Sequence, residues 1–370
     1  MPLRNFDAMK LFSDIYFSFF NPGRPIFTGR FNRGFCPLLP LIFYVTCLPA
    51  LFFSCAKSDP ASTDCLASRD IHIRLNAVRS GQSMQEAGIS QIQVLVYNDD
   101  SRKLLDSRMF FEAEEGFENL VCATSCTGNK EIVILCNLPR TFPEWADVLS
   151  IHSLERLVTG LETESLSFPV MSGSAKVSAG GEVDIMVKPL AARIRLREIC
   201  CDFRGTAYPF EEITDVKVYL TNVNADSPLF PDRSYGRRFI NNGSLNPLDI
   251  NGFNDKSLIF RELGPKVGMD PVVTDMEFLC YANPVTEEAF GCPLTRLVIE
   301  GKILGKTWYW PIDLCKLQEN GIQAGEDYEI SLTILRTGTD DPDTPVRLVG
   351  GELEMEIVQW KEKENQPIYF

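Results

Sequence analysis

Several stretches of this chain alternate apolar and polar residues with a period of two, and that pattern constrains the fold more than any other feature. "QIQVLVYND" (91–99) sets Ile92, Val94 and Val96 on one face and Gln91, Gln93 and Leu95 on the other. "AARIRLRE" alternates Ala192, Ile194 and Leu196 with Arg193, Arg195 and Arg197, and "DVKVYL" repeats the arrangement with Val216, Val218 and Leu220. In "YEISLTIL", Ile330, Leu332 and Ile334 oppose Glu329, Ser331 and Thr333. Near the end, "ELEMEIVQW" sets Leu353, Met355 and Ile357 against Glu352, Glu354 and Glu356. A strand projects successive side chains to opposite faces, so this period predicts half-buried strands with one face on a core and one in water. Helical periodicity is rare. Its best instance is 143–161, where Leu149, Leu154 and Leu157 are expected to share a helix face. The chain is therefore expected to be all-β, built of sandwiches.

The first 54 residues read differently. Arg24, Arg30 and Arg33 precede an uncharged run, "CPLLPLIFYVTCLPALFF" (36–53), which ends at Ser54 and Cys55. Basic, then apolar, then small is the order of an export signal. The prolines Pro37, Pro40 and Pro49 disfavour a membrane-spanning helix because each removes a backbone donor. "LFFSC" resembles a bacterial lipobox, with Phe52 where an aliphatic residue is usual. That resemblance implies acylation (palmitate) of Cys55 and anchoring to the outer membrane, with "AKSDPASTD" as a short polar tether. Because residues 1–23 make the leader unusually long, Met9 or a later residue is an alternative start.

Composition narrows the functional classes. The whole chain has 36 Lys+Arg and 50 Asp+Glu; residues 1–54 hold five of the former and two of the latter, leaving 31 against 48, a net charge of −17. An acidic surface of this kind is unsuited to nucleic acid, which needs a basic stripe. The mature length predicts two domains, with residues 55–188 forming the first, a junction near Pro189, and 189–370 forming the second. Of twelve cysteines, two lie in the leader and one is Cys55; the other nine read mainly as buried small apolar residues. Pairing of Cys122 with Cys126 and of Cys280 with Cys292 stays open on spacing alone. With only His72 and His152 and no CxxC pair, a zinc site is not expected.

No catalytic constellation emerges. Glu114/Glu115 and Glu211/Glu212 are adjacent carboxylates, which on a strand point to opposite faces and read as solvated surface. "TGTDDPDTP" (337–345) lacks the spacing of a calcium loop and reads as a turn. Gly180-Gly181 lacks the surroundings of a phosphate-binding loop. "WYWP" (308–311) could form a sugar platform, although alternation favours ordinary strand packing. The polar stretch 224–257 is too long for a structureless connection and is either a functional insertion or hides short strands. No enzyme activity and no cofactor are expected.

Taken together, the lipobox leader, "IHIRLNAVRSGQ…ISQIQVLVYND", "FPVMSGSAKV…VKPLAARIRL" and "FLCYANPVTEE…PLTRLVIEGKILGKTWYWPIDL…YEISLTILRTGTDDPDTPV" resemble the fimbrillins, the lipoprotein-derived subunits of type V pili. The resemblance covers most of residues 55–370. It implies two transthyretin-like β-sandwich domains in tandem and a structural role in a cell-surface fimbrium supporting adhesion. It also implies assembly by donor-strand exchange with other fimbrial subunits, after an arginine-specific protease removes the first strand. Carried over, that strand is "DIHIRLNAV" (70–78), the cut falls after Arg79 (Arg74 being the poorer alternative), and the donated strand carries Leu353, Met355, Ile357 and Trp360. The sequence departs from many shaft subunits in reading "LQENGIQAGEDYE" where an Arg-Asn step precedes the penultimate strand. Alternative readings are a non-cleaved anchor subunit, or a monomeric surface lipoprotein binding glycan through "WYWP" and the 224–257 loops.

Overall fold

The computed structural model describes residues 69–77, 88–112, 119–125, 127–138, 143–230, 237–317, 319–346 and 353–359. The leader, including Cys55, and Cys65, Arg79, Glu114, Glu115, Cys126 and Trp360 lie outside the described residues. Among those described, no helix is long and apolar enough to cross a membrane.

Among the described residues, eight strands precede residue 190: β1 (Arg69–Ala77), β2 (Gln91–Asn98), β3 (Leu105–Glu112), β4 (Asn119–Thr124), β5 (Asn129–Cys136), β6 (Val158–Gly160), β7 (Met171–Ser178) and β8 (Glu182–Pro189). All but β6 join one sheet in the order β3-β2-β5-β7-β8-β1-β4. Its continuity across β7 and β8 rests on only two register pairs, Met171↔Pro189 and Ser172↔Lys188. Beyond them the sheet folds over, so that β8-β1-β4 faces β3-β2-β5-β7 across a core of Ile73, Leu120, Ile185, Val94 and Ile134 among others. Gly173 sits where the layers approach. A Cβ there would lie 2.3 Å from the Met186 carbonyl oxygen.

The remaining strands are β9 (Ala191–Cys201), β10 (Ile213–Thr221), β11 (Val223–Asn224), β12 (Asp226–Pro228), β13 (Phe239–Ile240), β14 (Phe260–Val267), β15 (Val272–Tyr281), β16 (Arg296–Ile303), β17 (Lys306–Asp313), β18 (Glu326–Ile334) and β19 (Leu353–Gln359). Two four-stranded sheets, β14-β10-β16-β17 and β15-β9-β18-β19, enclose a second core through residues such as Val218, Leu297, Ile312, Ile194, Phe278 and Ile330. The two halves repeat one topology. In each, the first strand (β1 or β9) pairs antiparallel with the fourth member (β4 or β15) and parallel with the last (β8 or β18). In each, the second (β2 or β10) is flanked by the third (β3 or β14) and the fifth (β5 or β16). Seven strands match in order; β19 is surplus to the repeat.

The halves also touch. The short strands β6 and β12 pair antiparallel, and the second core extends to Leu95, Tyr97, Val133 and Leu135 on the outer face of β2 and β5. This corrects the expectation of half-buried strands: β2 is buried on both faces, since Ile92, Val94 and Val96 serve the first core while Leu95 and Tyr97 serve the second.

The helix expected over 143–161 is also corrected. That segment contains a 3-10 turn at Pro143–Asp147, one four-residue α-helix, α1 (Ile151–Leu154), and then β6. Ser150 starts α1 with a reciprocal capping box to Ser153, which ends any continuous helix from upstream. Backbone bonds from Leu105 N to Leu149 O and from Ile151 N to Lys103 O dock the segment on the chain around the start of β3. Leu154 is buried but Leu149 is 66% exposed, so the two do not share a face. The 224–257 stretch holds the short strands β12 and β13 and a second small helix, α2 (Pro247–Asn251).

Candidate functional site: the slot filled by the first strand

β1 is bonded on both sides. Arg69–Arg74 pair with Thr124–Asn119 of β4, and His72–Ala77 pair in parallel with Glu182–Val187 of β8, so the centre of β1 is held from both edges. His72 N donates to Gly181 O at 3.0 Å and Thr124 Oγ1 to Arg69 O at 2.9 Å. Alternation then divides its side chains between the core and solvent. Ile71, Ile73 and Leu75 are 0%, 1% and 2% exposed, inside the first core, while His72, Arg74 and Asn76 face solvent. Arg74 Nη1 lies 3.3 Å from Asp184, an exposed pair that contributes little in water.

Among the described residues, the next attachment past β1 is at Gly88. Asn137, in a left-handed conformation (φ 63°), donates from Nδ2 to Gly88 O (2.8 Å) and Pro169 O (2.7 Å), and its Oδ1 accepts from Ser90 N (2.8 Å). Gly88 itself has φ 70°, and a Cβ there would meet Ser167 O at 2.5 Å, so both conformation and space require glycine. Residues 78–87, which contain Arg79, thus form the covalent link between β1 and this clamp. Arg74, the alternative, lies within β1 with its backbone in both ladders.

At the other end of the chain, β19 pairs with β18 from Glu326↔Gln359 to Leu332↔Leu353 and is, among the described residues, the outermost strand of its sheet. Leu353, Met355 and Ile357 stand in register opposite Leu332, Ile330 and Tyr328, all three of them buried. Among the described residues, β1 thus has two strand neighbours and β19 one.

The other candidates read as structure. Trp310 is buried and donates from Nε1 to Arg336 O at 2.9 Å, and Lys306 Nζ lies over one face of Trp308, 3.7 Å from the ring centroid. In 337–345, Asp343 bonds Arg296 and Asn222, while Asp340 pairs with Lys306 at 2.8 Å. Glu212 pairs with Lys266 at 3.0 Å. Among the described residues no group of three or more metal-ligating side chains converges. Cys280 and Cys292 are free thiols, and burial pushes Cys122 and Cys136 up to about 12, which keeps them protonated and unreactive.

Three polar clusters escaped the sequence reading. Arg193 and Arg195, expected on a water-facing side, are 4% and 6% exposed. Both converge on the buried Asp327 (Arg193 Nε at 3.0 Å, Arg195 Nη2 at 2.8 Å), and Arg195 also reaches Glu329 at 3.0 Å. The alternation was visible; the acidic partners sit more than 130 residues away, where no local pattern could find them. Lys130 is wholly buried against Asp106 (3.0 Å) and Asn98. Arg296 joins Asp313 (2.6 Å), Glu288 (2.8 Å) and Asp343, tying the end of β17 to two loops of the second sandwich.

No protein-family model matches the chain, and no curated protein does. Solved structures do match. A proposed cell adhesion protein of Bacteroides eggerthii aligns at TM-score 0.58 and 17% identity, covering 80% of this chain and 97% of that one. A fimbrilin of Porphyromonas gingivalis aligns at TM-score 0.57 and 15% identity, covering 79% and 97%. The chain has the fimbrilin fold. A proposed cell adhesion protein of Parabacteroides distasonis shares it too, at TM-score 0.55 and 15% identity over 80% of this chain and 100% of that one. The fimbrilin fold includes the all-β architecture expected from the alternating segments.

Proposed function

We propose that the chain is a structural subunit of a cell-surface fimbrium, exported as a lipoprotein and assembled by donor-strand exchange. The observation that carries this reading is β1 itself. It is a strand with three apolar side chains in a slot between β4 and β8, linked onward through a segment that contains an arginine. Cutting after Arg79 leaves β1 held by hydrogen bonds and packing alone. Its departure exposes two unpaired strand edges and three apolar pockets, a strong drive to accept another strand. A donor from a second subunit would supply backbone bonds for affinity and alternate side chains for fit. β19 is the strand this chain can itself donate to a neighbour, being surplus to the repeated topology and, among the described residues, bonded along one edge. Resemblance to a fimbrilin and to proteins assigned to cell adhesion supports the same reading.

In this scheme Cys55 carries the acyl anchor at the outer membrane until an arginine-specific protease releases the subunit. In a non-cleaved anchor subunit the lipid would stay. The glycan-binding alternative is not favoured by "WYWP", where Trp310 is buried and Lys306 stacks on one face of Trp308. The test is mass spectrometry of the protein from native surface fractions beside an unboiled gel. An N-terminus at Ser80 with a ladder of multimers supports the reading. A lipidated Cys55 on a monomer overturns the shaft role and leaves the anchor or a stand-alone lipoprotein.

A further inference from the structure

The rim of the β1 slot is acidic along the first half of β1. The exposed positions of β8 nearest the start of β1 are Glu182 and Asp184, opposite His72 and Arg74 in register. On the other side, β4 offers Val121 and Asn119 to the same two rows and no compensating cation. The resident strand meets the two acids with an arginine and a histidine, and Arg74 pairs with Asp184.

The chain's own C-terminal strand has the reverse character, "GELEMEIVQ" placing Glu352, Glu354 and Glu356 between its apolar residues. Seating Leu353, Met355 and Ile357 where Ile71, Ile73 and Leu75 now lie brings Glu354 beside Glu182 and Glu356 beside Asp184. Running the strand the other way exchanges the partners but not the signs. Sliding it by two residues still leaves at least one glutamate beside an acid. Like charges directly opposite on paired strands are destabilising.

We propose that the slot is built for a donor strand from a different subunit, one with apolar residues at alternate positions and basic residues between them. The C-terminal strand of a second copy of this chain is the disfavoured occupant, so the chain takes its place in a mixed fibre and does not extend by itself. This inference rests on strand exchange as the mode of assembly.

The experiment compares four full-length proteins treated with an arginine-specific protease at low ionic strength and read by multimer content on unboiled gels. They are the wild type, a tail reversal (Glu354→Lys with Glu356→Lys), a rim reversal (Glu182→Lys with Asp184→Lys), and both reversals combined. Each single reversal is expected to raise multimer formation about tenfold, since two repulsive pairs become attractive, and added salt should shrink the gain. The combined protein should return to the wild-type level because lysine again faces lysine. Rim reversal also breaks the Arg74–Asp184 pair and loosens β1. The combined protein shares that loosening, so its return isolates donor matching. Wild type forming multimers as readily as either reversal overturns the charge selection while leaving strand exchange standing. Absence of multimers from all four overturns strand exchange itself.

Discussion

Truncating Ile73 to alanine tests whether β1 is a separable plug. Ile73 is 1% exposed, paired with Leu120 on one side and Val183 on the other. Burying each of the three apolar side chains of β1 contributes about 1.5–3 kcal/mol, or roughly 5–9 kcal/mol for the strand. Isoleucine to alanine in a close-packed core costs about 2–5 kcal/mol including the cavity left behind. That removes a large share of what holds β1. Hydrogen exchange followed by mass spectrometry reads the result locally. Amides of β1 and of the facing segments 119–124 and 182–187 should exchange roughly thirty- to several-thousand-fold faster, while β10 and β16 keep their protection. His72→Ala, on the exposed face, should shift exchange little, within about 0.5 kcal/mol. Equal acceleration in both sandwiches would refute the reasoning, because β1 would then be an integral part of one cooperative unit. So would unchanged exchange in β4 and β8.

Three further outcomes follow from the geometry. Burial raises the carboxyl of Glu164 to about 7, despite bonds from Val170 N (3.0 Å) and Tyr281 OH (2.8 Å). The native state therefore keeps a proton that the unfolded chain releases above its ordinary value. Stability should fall by roughly 3 kcal/mol as pH rises from about 4.5 to 7 and then level off, and Glu164→Gln should flatten that slope in denaturant titrations. Asp327→Ala leaves Arg193 and Arg195 facing each other at 4% and 6% exposure; a loss of about 3–5 kcal/mol is expected in the same assay, and a loss under 1 kcal/mol would contradict the buried network. Gly173→Ala should cost about 1–3 kcal/mol by overpacking against the Met186 carbonyl, whereas alanine at Gly205, where a Cβ meets nothing within 4 Å, should be close to neutral.

Much of the architecture was legible in local pattern because the strand period is a property of neighbouring residues. β2, β9, β10, β18 and β19 lie where alternation places them, and β1 buries the three apolar residues of "IHIRL". The 143–161 segment misled because its leucine spacing mimics a helix face, while Ser150 and backbone bonds to the start of β3 divide it.

By itself the sequence determined that this chain is built of strands, that its first 54 residues differ in kind from the rest, and which arginine stands between the first strand and the second. It also set the acidic character of the last strand, since alternation and charge are written residue by residue. Only the tertiary structure decided that β1 lies between β4 and β8, that β19 is surplus to a repeated topology, and that Glu182 and Asp184 border the slot. It also decided that two arginines apparently meant for water are buried on Asp327. The physical reason is common to all of these. Strand pairing and charge burial join residues dozens to more than a hundred positions apart, and no local period records which distant edge or carboxylate a strand will meet.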